Sequence, residues 1–248
     1  MNKEFRHRGE EPGRLENFSD ACFALAITLL LISTSPPTNF LQIKRFVYDL
    51  IPFVFCIAVI LAIWHQHFVF FFRYGLRNGK IVALNSIFLV IVLFYVYPLK
   101  FLARLILYPI ALLTDNQALI QEFSGVIEWK DVGDLMIIYG LGYAGVFFTL
   151  MLMYRYALKM ADQLELSEIE KFDTEVSVKT NMLMGIIPLI SVMVAWILRG
   201  HWTAGMIGGL VYMLYQIVMP IYGKRVDKRR NKFLTALKTV PATGEIST

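Results

Sequence analysis

The run Arg14-Leu-Glu-Asn-Phe18-Ser19-Asp20-Ala-Cys-Phe-Ala-Leu25-Ala-Ile-Thr28-Leu-Leu-Leu-Ile32 decides the fold, because it opens on charge and is apolar from Ala21 onward apart from Thr28. A carboxylate just inside such a run costs several kcal/mol in hydrocarbon unless it is paired or wet, so Asp20 has to be explained. Apolar runs of roughly 20 residues recur along the chain, the length a helix needs to cross about 30 Å of hydrocarbon. The composition agrees: 57% hydrophobic and 17% charged, with mean hydropathy +0.57. Soluble domains carry about a quarter charged residues. Alternating strands of the kind a membrane barrel requires are absent, leaving helices as the only structure that satisfies a backbone in lipid. The expected fold class is all-α, a polytopic membrane protein with six transmembrane helices per subunit.

Those spans are expected near 14–34, 46–72, 81–108, 132–156, 180–199 and 202–223. The first is a retained helix and no cleaved leader, because it carries Asp20 internally and ends before Pro36-Pro37. Residues 1–13 read as a mobile cytoplasmic segment, 14–223 as the six-helix domain and 224–248 as a basic, disordered cytoplasmic tail. The long connection 109–131 suggests a short interfacial helix. Ser167 and Glu170, at capping-box spacing, suggest a surface helix within 159–179. Of the 24 Lys and Arg residues, only Lys44, Arg45, Lys100, Arg104, Lys130 and Arg199 fall on or near the side away from the termini. The positive-inside rule therefore places both termini in the cytoplasm.

Several patterns that look like chemistry lose their meaning in this setting. Gly140-Leu-Gly142-Tyr143-Ala-Gly145 fits GxGxxG but lies within a span with no preceding strand, so its glycines read as helix-packing residues, as do Gly205 and Gly209. His65 and His67 point about 200° apart on a helix and cannot share a metal. Cys22 and Cys56 lie in apolar runs and offer no disulfide framework. The sequon at Asn17 is on the cytoplasmic side. Lys100 and Arg104 are too few for a voltage sensor. With no nucleotide loop and no catalytic triad, the chain does not read as an enzyme. Its expected surroundings are the lipid bilayer and further copies of itself, with no nucleic acid, soluble substrate, cofactor or bound metal.

On a helical wheel, Ala21, Leu25, Thr28 and Ile32 form one stripe, and Asp20 lies about 110° from its centre. If that stripe faces a pore, Asp20 faces neighbouring helices. Arg14, six residues earlier, is not on its face but has the length to reach it around a turn or through a third group. The candidates for that group are Trp64, His67 and Asn85, at the matching depth of the second and third spans. One subunit cannot surround a channel with a single helix, so a pore lined by helix 1 needs several subunits around an axis.

Arg14-x-x-x-Phe18-Ser19-Asp20 at the head of the first of six spans resembles the signature of the transmembrane-protein-175 family, lysosomal and bacterial potassium channels. Only one such motif is present, which is similar to the single-repeat bacterial members and implies a homotetramer in a bacterial plasma membrane. The resemblance further implies a leak-like, potassium-selective pore with no carbonyl filter. In that picture Leu25 is an apolar constriction, Thr28 a hydroxyl layer acting in selectivity, and Ile32 a further apolar ring. Arg14, Ser19 and Asp20 then belong to an interhelical network with His67, Trp64 and Asn85. The rival reading is a proton- or cation-coupled transporter using Asp20 and His67 as a relay. No internal repeat or interrupted helix pair supports alternating access. A third reading is a structural membrane subunit that binds a partner through its basic tail.

Overall fold

In the computed structural model, residues 5–32, 38–105, 131–201 and 203–239 are described, with isolated positions between 105 and 131. The expected interfacial helix within 109–131 lies largely outside the described residues. The described elements are helical: α1 (Arg14–Ile32), α2 (Phe40–Tyr48), α3 (Leu50–Tyr74), α4 (Gly79–Leu105), α5 (Val132–Lys159), α6 (Glu168–Ile197), α7 (Thr203–Val211) and α8 (Leu214–Thr239). Five stretches are long and apolar enough to cross a membrane: α3, α4, α5, α6 and the pair α7–α8. With α1, whose first two turns carry Arg14, Glu16 and Asp20, they make six spans.

Burial follows the apolar stripes. On α1, Ser19, Phe23, Ala26 and Leu30 are buried at spacings of four, three and four, and this face packs against α3 and α4. The core continues through Ile60, Phe70, Phe88, Val92 and Val96 to Leu150 and Tyr154 of α5. Large apolar side chains such as Val54, Val90, Phe94, Met193, Trp196 and Ile217 point outward, as they do where the surrounding medium is lipid. The glycines of the GxGxxG stretch serve packing: a Cβ on Gly142 would strike the Tyr95 ring, and one on Gly140 would strike Val192. Gly205 packs likewise on Val132, whereas Gly209 faces open space. Pro188, inside α6, has no N–H to give the Met184 carbonyl. The Tyr215 hydroxyl of α8 donates to that oxygen instead, at 2.6 Å.

Four sequence expectations change. Phe40–Tyr48, expected as loop and the start of the second span, forms the separate helix α2, nine residues long and too short to cross. The charged stretch from Glu168 and the fifth span are one 30-residue helix, because no Gly or Pro interrupts Glu168–Met184; Ser167 and Glu170 do form the capping box, at the start of this longer helix. The basic tail is helical to Thr239. Its Lys, Arg, Leu and Ala residues are good helix formers, and α6 gives it a partner through the Phe172–Phe233 stack and the Arg230–Asp173 pair. Residues 5–13 are packed, as described next.

Candidate functional site

The charged end of α1 is built from two hydrogen-bonded sets on adjacent residues. Ser19 and Asp20 are successive, so they project about 100° apart and address different neighbours. The Asn85 amide of α4 donates to Ser19 Oγ at 2.9 Å, and Ser19 in turn donates to the Leu15 carbonyl at 2.8 Å. That leaves Asn85 Oδ1 as an acceptor, so His67 of α3 carries its proton on Nε2, 2.7 Å away. All three side chains are fully or almost fully buried, and the His67 ring stacks on Phe88 at 5.3 Å. Asp20 turns to α3 instead, where Trp64 Nε1 donates to its Oδ1 at 2.8 Å. Trp64 and His67 are three apart and share a helix face, which lets α3 serve both sets.

Among the site residues expected from sequence, the structure thus brings Ser19, Asp20, Trp64, His67 and Asn85 together. Arg14 is exposed and makes no hydrogen bond or ion pair among the described residues. Phe18 is also exposed, on the far side of α1. Leu25 and Thr28 lie on that same outward face, Leu25 being 50% exposed. Ile32 ends the helix, and its side chain lies outside the described residues. Thr28 Oγ1 donates to the Ala24 carbonyl at 2.8 Å, so its hydrogen is used by the helix and its lone pairs remain available outward.

Two further residues hold α1 and were missed in the sequence. Glu16, buried, accepts from Arg77 Nε at 3.0 Å and from the Gly13 N–H at 3.1 Å, which caps the helix start. At the opposite end, Lys100 Nζ donates to the Leu30 carbonyl at 3.0 Å, placing a cation at the negative end of the helix dipole. A lysine within an apolar run was the available signal for the second.

The N-terminal segment straps this end of the bundle together. Phe5 is buried edge-on to Tyr74, with the Arg73 guanidinium over its ring. Arg8 forms a bidentate pair with Glu170, both bonds 2.9 Å, with side chains only 11% and 4% exposed. Glu170 lies in the polar first turn of α6, outside its apolar segment. Burial alone would raise its carboxyl; the Arg8 guanidinium and the Ser167 and Arg6 N–H groups outweigh that and hold it at about 2. Directly after these anchors the chain crosses α3 so closely that a Cβ on Gly9 would strike the Phe71 carbonyl. Gly75, at φ 58°, makes the left-handed turn that ends α3 beneath it. Among the described residues no group of three His, Cys, Asp or Glu side chains converges as a metal site.

The sequence profile of the family described as endosomal/lysosomal potassium channel TMEM175 matches residues 14–95, which hold α1, both hydrogen-bonded sets and most of α4. A potassium channel of Marivirga tractuosa is 38% identical over 239 residues, spanning 94% of this chain and 95% of the relative. A second potassium channel, of Chamaesiphon minutus, is 30% identical over 40% of this chain and 53% of its own length. Among solved structures, a variant of the potassium channel MtTMEM175 bound to a nanobody fusion superposes with TM-score 0.84 at 38% identity, covering 92% of this chain and 99% of that one. The Chamaesiphon TMEM175 homologue shares the fold, with TM-score 0.53 at 18% identity over 86% of this chain and 97% of that one. By sequence and by fold, the chain belongs to the TMEM175 family.

Proposed function

We propose that this chain is the subunit of a homotetrameric, leak-like potassium channel, not an enzyme, in a bacterial plasma membrane with its termini in the cytoplasm. The observation that carries the reading is the division of α1 into two faces. One is fixed to α3 and α4, and the other, with Leu25 and Thr28, is left unpacked by its own subunit. Four such faces around an axis make a narrow apolar neck at Leu25, which closes by dewetting or admits a partly dehydrated ion. Below or above it, four Thr28 oxygens turn lone pairs to the ion because their hydrogens are already given to Ala24. Potassium costs less to dehydrate than sodium, so such a ring favours it. The lack of a carbonyl filter on this helix is supported by its unbroken course from Arg14 to Ile32, which commits its carbonyls before the last turn to the helix itself.

The coupled-transporter reading is weaker. Asp20 and His67 are each held by a neutral group, Trp64 and Asn85, and no hydrogen bond joins them. Purified protein in liposomes is expected to pass potassium faster than sodium, with unitary current steps in bilayer recordings. Leu25→Ala is expected to raise unitary conductance, and Thr28→Ala to lower potassium-over-sodium selectivity while current persists. Recordings in which neither substitution has an effect would move the pore off this face; saturable flux without steps would return the carrier.

A further inference from the structure

Where α6 and α8 leave the membrane, they frame a cleft of about 150 Å³. Lys179 of α6 and Arg225 and Arg229 of α8 line it, and Glu175 is the carboxylate in the lining. Glu175 lies 3.5 Å from Lys179, a half-exposed pair that leaves the two arginines in excess. Neither arginine makes an ion pair or hydrogen bond among the described residues. The nearby Asp173 is engaged by Arg230 at 3.2 Å, and Asp227 projects from the other side of α8.

The depth of this cleft matters as much as its charge. Lys179 is the last charged residue of α6 before its apolar segment, and Arg225 comes just after the apolar part of α8 ends at Tyr222. Tyr222 and Val176 form part of the cleft wall, an aromatic and an aliphatic group at the border where lipid phosphates lie. Of the described helices, α8 packs chiefly on α6, so the cleft is at the bundle's periphery and open to lipid.

We infer that this cleft binds the phosphate headgroup of an anionic phospholipid, its diester oxygens taken by Arg225 and Arg229 with Lys179 at the rim. Two arginine forks match phosphate oxygens in a way that a diffuse surface charge does not. Basic clefts between helices on the cation-rich side of a membrane protein suit such headgroups. The proposal does not depend on conduction, and its test reads no ion flux.

The full chain, purified in detergent, is titrated with dioleoyl phosphatidylglycerol or dioleoyl phosphatidylcholine and bound lipid is counted by native mass spectrometry. Phosphatidylglycerol is expected to bind more tightly. Arg225→Gln with Arg229→Gln is expected to weaken it about thirtyfold, from roughly the loss of two cations at a membrane surface. Lys224→Gln with Lys228→Gln removes equal charge from α8 outside the cleft lining and is expected to weaken binding much less. The Arg225→Lys and Arg229→Lys pair should fall between the two. Should the glutamine pair not fold by circular dichroism, Lys179→Gln alone is read, with about a fivefold loss expected. Equal weakening by both glutamine pairs, equal affinity for the two lipids, or displacement by millimolar inorganic phosphate would each overturn the assignment. These outcomes point in turn to a diffuse field, no headgroup recognition, or a free-anion site.

Discussion

Arg8→Met is expected to destabilise the protein by about 3–5 kcal/mol, the cost of leaving a buried carboxylate without its cation. Three observations set that size. Glu170 is almost fully buried, Arg8 meets both of its oxygens, and the Arg8 Nε–H also serves the Leu164 carbonyl at 2.8 Å. The loss appears as a lower midpoint of thermal unfolding in detergent and as faster proteolysis within residues 5–13. The double change Arg8→Met with Glu170→Met is expected to recover much of the loss, because it removes the charge that the single change strands. A single change with no effect on either readout would mean the strap contributes nothing to stability. The same contact responds to acid. Because the folded carboxyl is held at about 2, below its ordinary value near 4.5, its stabilisation is complete above about pH 4.5 and is lost as pH falls toward 2. Proteolysis of the strap should therefore rise across that window and not between pH 6 and 8.

The second large effect is expected at Asn85. Asn85→Leu keeps the volume but strands the His67 Nε2–H and withdraws the donor from Ser19, both within the core. Each unsatisfied buried group costs about 1–3 kcal/mol, so the total is about 2–6 kcal/mol. Replacing all three partners with apolar residues, Asn85→Leu with His67→Phe and Ser19→Ala, is expected to restore most of the stability. A buried polar set costs little to delete whole and much to delete in part. Potassium flux separates stability from position: the single variant should conduct abnormally because α1 is loosened from α4. If the single and triple variants unfold at the same temperature, the hydrogen bonds are not what holds this junction.

Much of this junction was legible from depth alone. Asp20, Trp64, His67 and Asn85 are polar residues near one end of three successive spans, and helices of similar length bring such levels together. The wheel separated Asp20 from Leu25 and Thr28 because a helix has one period and no other option. What could not be read was which polar residue meets which. Asn85 goes to Ser19 and His67, and Trp64 to Asp20, a choice made by rotations of α3 and α4 that no single-chain pattern encodes. Glu16 was hidden because a carboxylate before an apolar run looks like a solvated flank; its partner Arg77 is 61 residues away. The strap was hidden for a related reason. Residues 1–13 have the composition of a disordered segment, and one aromatic, Phe5, with one bidentate arginine is enough to overturn that for residues 5–13. The basic tail failed in the same direction, since low apolar content was weighed and the presence of a neighbouring helix stem was not visible.

The unbroken course of α6 has a mechanical consequence. Thirty residues make a rod about 45 Å long, some 15 Å more than the hydrocarbon it crosses, so its first turns stand clear of the bilayer as a short lever. Arg8 is fastened to that lever at Glu170, and five residues later the same strand becomes Gly13 and the start of α1. A tilt of about 5° around the membrane midplane would carry the lever end, about 30 Å from that plane, by about 3 Å. With the strand pinned over α3 by the Gly9 N–H at 3.1 Å from the Phe72 carbonyl, that displacement either slips at Gly9 or is delivered to the first turn of α1. Where Gly9 holds, whatever grips the exposed stub of α6 acts on α1 from outside the membrane, through the five residues of chain from Arg8 to Gly13.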